Sequence, residues 1–286
     1  MTRTTRKLGW IRDLPDIRDF HPDHEAVAPI LAKSVPLAIA VATLPTKADL
    51  RNWCSPVEDQ QSIGSCTAHA AVGLMEYFER RTTSQHLDAS RLFIYKITRM
   101  LAGDTGDTGA ELRTTMQALA MFGAPPESAW PYDPHKFDVE PSAFLYALAS
   151  NYKAMQYYRL DPAGSTPANS LQALRQSLAG ELPVMFGTTV YSSFPGLGAS
   201  DDGSGNIPFP TNHDSMQGGH AMMIVGYDDT RKIGADVGAF LIRNSWGPSW
   251  GQQGYGWMPY RYVTSGLAND FWTLVKASFV DTRLFA

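Results

Sequence analysis

Cysteine is scarce, with two in 286 residues. Cys54 and Cys66 allow one disulfide at most, and neither lies in a C-x-x-C or zinc-ligand spacing, so the fold is expected to stand without staples or structural metal. Charge of one sign is missing as well: 24 basic residues face 28 acidic ones, for a net −4, without long runs of either sign. That balance argues against nucleic acid as the main ligand. The basic N-terminus lacks the apolar core of a secretory signal, which makes the cytosol the default compartment and leaves export by another route as the weaker reading. Residues 26–45 are apolar, yet Pro29, Lys33, Pro36 and Pro45 make them a poor membrane span.

What is present describes an ordinary globular chain, 44% hydrophobic and 18% charged. Its length suits two modest lobes better than one core. Residues 1–43 lack long helical periodicity and are punctuated by prolines, so they read as an extended arm lying over something else. Residues 44–150 read as a helical half. Apolar residues recur at helical spacing behind Cys66 (Ala68, Ala71, Val72, Met75, Phe78), then over Leu92–Ile97 and Leu112–Leu119, where Gly123 is the stop. Pro125, Pro126 and Pro131 are expected to close it. Residues 151–286 read as strand-rich: Asn151–Leu160 is extended, a short helix carries Leu171, Leu174 and Leu178, and apolar runs follow at 184–186, 221–225, 239–242, 255–258 and 271–275. The Gly/Ser/Pro/Asp-rich segment 192–217 is a loop of a length that is usually functional or mobile, and it is a candidate cap for the cleft.

Three stretches carry chemistry. Gly64-Ser65 delivers Cys66 to a helix start, where free backbone N–H groups and the helix dipole favour the thiolate. Gln60, six residues upstream, could aim an amide at an oxyanion beside that sulfur. Gly218-Gly219-His220 places an imidazole at the mouth of an apolar strand, able to take a thiol proton. Asn244 could accept from that ring and fix its orientation, with Trp246 as a cover. Each piece has a plainer reading: an inert core cysteine, an ordinary strand-end histidine, a loop asparagine. His69, three residues after Cys66, is a rival base that lacks an evident orienter and reads better as a core or surface histidine. Asp104 and Asp107 lie in a tight loop without the spacing or closing glutamate of a calcium site.

Together these stretches resemble papain-like cysteine peptidases. The likeness rests on Gln60 with Gly64-Ser65-Cys66, on His220-Ala221 with Val225-Gly226-Tyr227, and above all on Asn244-Ser245-Trp246-Gly247-x-x-Trp250-Gly251-x-x-Gly254-Tyr255. Leu44-Pro45 with Asp49-Leu50-Arg51, and Gly123 through Pro131-Tyr132, add to it. The resemblance covers residues 44–286. It implies an α+β fold of two lobes, the second barrel-like, with the site in the cleft between them. It also implies Cys66 as nucleophile, His220 as base and acid, Asn244 as orienter, and Gln60 with the Cys66 N–H as oxyanion hole; Gln61 is the neighbour that a one-residue shift would substitute. Gly109 would meet the substrate backbone, and Gly218 and Gly219 would line a subsite. A monomer acting on peptide or protein, without cofactor, is expected, kept latent by residues 1–43 lying in the cleft. The short arm and missing disulfides have a bacterial look. Thr67 stands where the family usually has Trp, Ile63 where it has cysteine, and the long gap from His220 to Asn244 implies an inserted turn near residues 228–238. Acyl transfer to an amine, and a silent ligand-holding protein, are the alternative functions.

Overall fold

The computed structural model describes residues 6–34, 44–84 and 86–279, without the side chains of 33, 34, 154, 155 and 276–279. Of the arm expected over 1–43, residues 1–5 and 35–43 therefore lie outside the described residues. In chain order the elements are β1 (Trp10–Ile11), α1 (Ala28–Ser34), β2 (Lys47–Asp49), α2 (Cys66–Thr83), α3 (Arg91–Ala102), β3 (Ala110–Glu111), α4 (Leu112–Met121), α5 (Ala143–Ala149) and β4 (Tyr152–Arg159). They continue with α6 (Pro167–Ala179), β5 (Val184–Tyr191), β6 (Met216–Ile233), β7 (Asp236–Arg243), β8 (Tyr255–Pro259), α7 (Arg261–Thr264) and β9 (Ala268–Phe279). The fold is α+β and two-lobed: helices α2–α4 on one side, and on the other an antiparallel sheet in the order β4-β9-β5-β6-β7-β8, with β2 added to β6.

The helices form where the periodicity predicts them, and their ends have physical causes. Ser90 caps α3 by accepting from the Phe93 N–H, and Thr166 caps α6 by accepting from Asn169, with Pro167 in its first turn. Ser84 and Gly103 stop α2 and α3 in the left-handed conformation. Short elements differ from the sequence reading: α1 (Ala28–Ser34) lies inside the segment read as an extended arm. The prolines at 125–131 do not end the helical part, because α5 follows them; two turns are too short to register a period. Lys47–Asp49 forms a short strand that pairs with Gly226–Asp228 of the sheet. The inserted turn expected after His220 is the long hairpin of β6 and β7, which turns at Gly234.

The lobes meet along α2, whose buried face packs on β6. Gly73, in the middle of that helix, is there for space: a Cβ would lie 2.2 Å from a guanidinium nitrogen of Arg243. Arg243 crosses from β7 to Ser55 and Pro56, donating to the Ser55 hydroxyl at 3.0 Å and the Pro56 carbonyl at 2.7 Å. Beneath it, buried Glu76 is fully satisfied by Ser55, the Ala89 N–H and the buried Arg91. A carboxylate so placed is tolerable only with such partners. Cys54 is a buried free thiol whose sulfur lies 3.7 Å from the Leu50 carbonyl.

Residues 6–24 lie across both lobes. β1 pairs in parallel with β3, Trp10 opposite Ala110 and Ile11 opposite Glu111. Further along, Arg113 of α4 pairs with Asp13 and Asp19, both at 2.7 Å. Arg159 of β4 pairs with Asp161 and with Asp270 of β9. Burial raises the proton affinity of Asp13 and Asp270; the negative charge of Glu111 adds to the first and that of Asp13 to the second.

Candidate active site

Two loops place the site residues. The Gln60 N–H donates to the Ser245 carbonyl at 2.8 Å, the Gly247 N–H to the Glu58 carbonyl at 3.0 Å, and Asp59 bridges Trp246. The strand-like segment before the cysteine is thus stitched to the segment after the asparagine. Gly64 is fixed by its N–H donating to Asp107 at 2.9 Å, and Asp107 also accepts from the Tyr95 hydroxyl and pairs with Lys7. In this loop, where Asp107 could have suggested a cation, the carboxylate acts as a latch for the cysteine turn. Tyr132 accomplishes the same from another side: its hydroxyl donates to the Gln60 carbonyl at 2.8 Å and lies 2.6 Å from the Ser65 hydroxyl.

Cys66 opens α2, and its Sγ accepts from the Ala221 N–H at 3.4 Å. The sulfur therefore sits beside the backbone of the residue that follows His220. The His220 ring is 2.8 Å from Asn244 Oδ1 through Nε2. Because that same oxygen accepts from the Ser245 N–H at 2.8 Å, it is the carbonyl end of the amide, so Nε2 carries the proton. Among the described residues Nδ1 has no hydrogen-bond partner. Trp246 stacks on the ring at 4.8 Å between centroids, and Phe194 meets it edge-on at 6.5 Å. Both aromatic neighbours keep water from the Asn244 bond, which strengthens it.

Gln60 is wholly buried, while Gln61 is exposed and its N–H turns back to Asp59, so the amide that enters the cleft is that of Gln60. Its Oε1 accepts from the Ser245 hydroxyl at 2.7 Å, which points Nε2 outward, and Nε2 donates to the Lys7 carbonyl at 2.9 Å. The next residues of the arm continue over the sulfur. The Gly9 N–H faces Cys66 Sγ, and the Gly9 carbonyl accepts from the Ala110 N–H at 2.8 Å. The approach is so close that a Cβ on Gly9 would lie 2.0 Å from the Gly64 carbonyl oxygen, and one on Gly109 2.3 Å from that of Gly9. Gly218 faces Leu8, and Gly219 faces the Trp10 carbonyl and ring. All three glycines singled out in the sequence line the groove that the arm fills.

Covered in this way, Cys66 and His220 are fully buried. Burial pushes the thiol up to about 11, against the pull of the Ala221 and Gly9 N–H groups, and brings His220 down to about 4, against the pull of Asn244. Both shifts favour the neutral thiol–imidazole pair. His69 is a core residue: its Nδ1 is 3.0 Å from the Ser65 carbonyl, its ring meets Tyr132 edge-on, and burial lowers it to about 3. Sequence reasoning missed Phe194, Ser245 and Asp107. Phe194 meets His220 edge-on and the Pro195 carbonyl accepts from Trp250, so the start of segment 192–217 packs behind the histidine. Ser245 was visible only as part of a motif, with nothing to indicate that it holds Gln60.

Cys66 at the start of α2 thus lies beside the strand that carries His220, and Asn244 is bonded to that ring. The pattern of the papain family cysteine proteases matches residues 44–273, and the chain belongs to that family. It is 32% identical over 283 residues to a peptidase C1-like protein of Acanthamoeba polyphaga mimivirus, across 96% of this chain and 88% of that one. Among solved structures it is similar to xylellain, a cysteine protease from Xylella fastidiosa, at 35% identity and a TM-score of 0.74, covering 98% of this chain and 99% of the other. A likeness to bromelain from Ananas comosus, at 17% identity and a TM-score of 0.58 over 83% of this chain and 100% of that one, speaks for the fold alone.

Proposed function

We propose that this papain-like cysteine protease cleaves peptide bonds through a thioester on Cys66 and is held latent by its own residues 6–12. The observation that carries the reading is that the groove already holds a peptide backbone, with the Lys7 carbonyl on Gln60 Nε2 and Gly9 over the sulfur. A substrate in that place would put its scissile carbonyl oxygen between Gln60 Nε2 and the Cys66 N–H. Sγ attacks the carbonyl carbon while the thiol proton passes to His220 Nδ1, and the two donors stabilise the oxyanion. Nδ1 then gives that proton to the departing amine. Water attacks the thioester, its proton again goes to Nδ1, and the acid product leaves as the thiol is restored. Asn244 keeps Nε2–H occupied throughout, so that Nδ1 alone faces the reaction. Gly109, Gly218 and Gly219 give the peptide room to lie flat, and Trp246 shields the ring from below.

Latency follows from the same contacts. The arm occupies the oxyanion donor and the sulfur, and excludes the water that would support the charged pair. Its parallel pairing with β3 also fixes its chain direction relative to that strand. The expected outcome is weak hydrolysis of fluorogenic peptides by the full chain, a gain on trimming near Leu44, and complete loss in Cys66→Ala. A thiol-directed epoxide should label Cys66 and leave Cys54 unmodified. Equal rates before and after trimming would remove latency, and undiminished hydrolysis by Cys66→Ala would remove the nucleophile.

A further inference from the structure

A small cavity of about 10 Å³ lies between the helical lobe and the sheet. His69 of α2, Ala221–Met223 of β6, and Arg243–Ser245 at the end of β7 line it. Three of these side chains are more than nine-tenths buried, and each carries one polar atom without a hydrogen-bond partner among the described residues: His69 Nε2, Arg243 Nε and Asn244 Nδ2.

The rest of each side chain fixes what that atom can do. Asn244 Oδ1 is committed to the His220 ring and the Ser245 N–H, both at 2.8 Å, so Nδ2 has its N–H groups to give elsewhere. Arg243 Nε can only donate. His69 is the opposite. Its Nδ1 lies 3.0 Å from the Ser65 carbonyl, which can only accept, so Nδ1 carries the hydrogen. Burial and the charges of Arg91 and Arg243 bring the ring down to about 3, which keeps it neutral and leaves Nε2 a lone pair. Arg91, the other cation on the wall, is spent on Glu76, Asp88 and the Ala89 carbonyl.

Two donors and one acceptor around so small a space select the guest. An anion would meet the lone pair of Nε2, and a cation would meet the charge of Arg243. A neutral molecule that both gives and takes hydrogen bonds suits all three atoms, and the volume is about that needed by one water.

We propose that a single water occupies this cavity, accepting from Asn244 Nδ2 and Arg243 Nε and donating to His69 Nε2, and that His69 is thereby a positioning residue for the His220 imidazole. The water site stands apart from the peptidase reading; the positioning role rests on it. Asn244 orients His220 through Oδ1, and the water holds the other end of the same amide. His69 acts on His220 through that water and that amide, as an acceptor and not as a base.

The test begins with diffraction from crystals of the full chain. One ordered water should lie within about 3.2 Å of both His69 Nε2 and Asn244 Nδ2, and soaked bromide should stay out of the cavity. A dry cavity, or bromide in it, overturns the proposal. Nitrogen NMR of the same chain should show His69 Nε2 unprotonated near neutral pH, and a protonated Nε2 overturns it as well. Two variants then separate positioning from packing. His69→Phe keeps the aromatic volume without an acceptor, whereas His69→Gln brings an amide oxygen to the place of Nε2; both lose the bond to the Ser65 carbonyl. In the residual peptide hydrolysis of the full chain, His69→Phe should lower kcat about tenfold with KM changed by less than about twofold. His69→Gln should stay within about twofold of the native kcat. Packing alone predicts the reverse order, and that order overturns the proposal. Should His69→Phe fail to fold, His69→Leu replaces it in the kinetics, and the diffraction and NMR readings stand without it. Native hydrolysis matched by both variants sinks the positioning role and leaves the peptidase standing. A chain that holds the water and hydrolyses no peptide sinks the peptidase reading, and the role of His69 with it.

Discussion

The arm is held in two unlike ways along its length. Leu8–Trp10 is held by shape: backbone against Gly64, Gly109 and Gly219, and one ring laid in a bay. Burying that ring contributes about 1.5–3 kcal/mol. Asp13–Asp19 is held by charge, through carboxylates almost closed to water against Arg113 and Arg159. The inner stretch does the covering and the outer one does the fastening. A methyl group is enough to upset the first, and loss of a cation the second.

The largest effect is expected at the outer stretch. Arg113→Ala strands two buried carboxylates, and breaking such a pair costs about 3–5 kcal/mol; Arg113 is one-fifth exposed, which places the effect near the lower end. Thermal unfolding should register it fully, and an unchanged midpoint would break the charge half of the comparison. Next comes Gly9→Val. Its Cβ would collide with the Gly64 carbonyl, an overpacking of about 1–3 kcal/mol that should speed iodoacetamide labelling of Cys66 by about 10–100-fold. Labelling at the native rate would mean that the inner stretch is not what covers the sulfur.

The pH dependence sharpens the same contrast. A thiol raised from 9.0 to about 11 favours the covered state fully below pH 9, and that contribution is lost as pH climbs from 9 towards 11. His220, lowered from 6.5 to about 4, favours it fully above pH 6.5 and loses that contribution as pH falls towards 4. The raised Asp13 and Asp270 run opposite to the histidine, favouring docking in acid and losing that contribution as pH rises. Labelling of Cys66 in the native chain should therefore stay slow from pH 7 to 8 and accelerate above 9. A plateau reached by pH 8 would show a sulfur already open to water. The smallest effect is that of salt on the exposed Arg6–Asp59 and Lys7–Asp107 pairs, worth under about 1 kcal/mol. Labelling should change by no more than about twofold between low and high salt, and a larger response would move weight from shape to charge.

Much of this was legible in the residues. The glycine turn, the cysteine at a helix start, the Gly-Gly-His strand and the asparagine motif each carry local chemistry, and local chemistry is what a sequence displays. Residues 6–24 show no helical period and run extended over the body, whereas helix α1 at Ala28–Ser34 was hidden in the proline-punctuated stretch read as extended. The arm's route did not show, because a path over Gly64, Gly109 and Gly187 depends on empty space contributed by three distant segments. The ion pairs of Arg113 and Arg159 were hidden for the same reason: a charged residue in a helix or strand looks solvated until a distant carboxylate is brought to it. Phe194 lay in a loop whose composition signals exposure, and only tertiary packing places its ring against His220. Short α5 offered too few turns to show a period.

Ser245 gives the cleft a further property. Its hydroxyl, on the sheet lobe, holds the Oε1 end of Gln60, whose Nε2 end serves the helical lobe's side of the groove. The amide proposed as oxyanion donor is therefore aimed by the opposite half of the molecule, one residue along from the asparagine that aims the histidine. Prising the halves apart would break the Ser245–Gln60 bond, and with it the alignment of that amide, in a single movement.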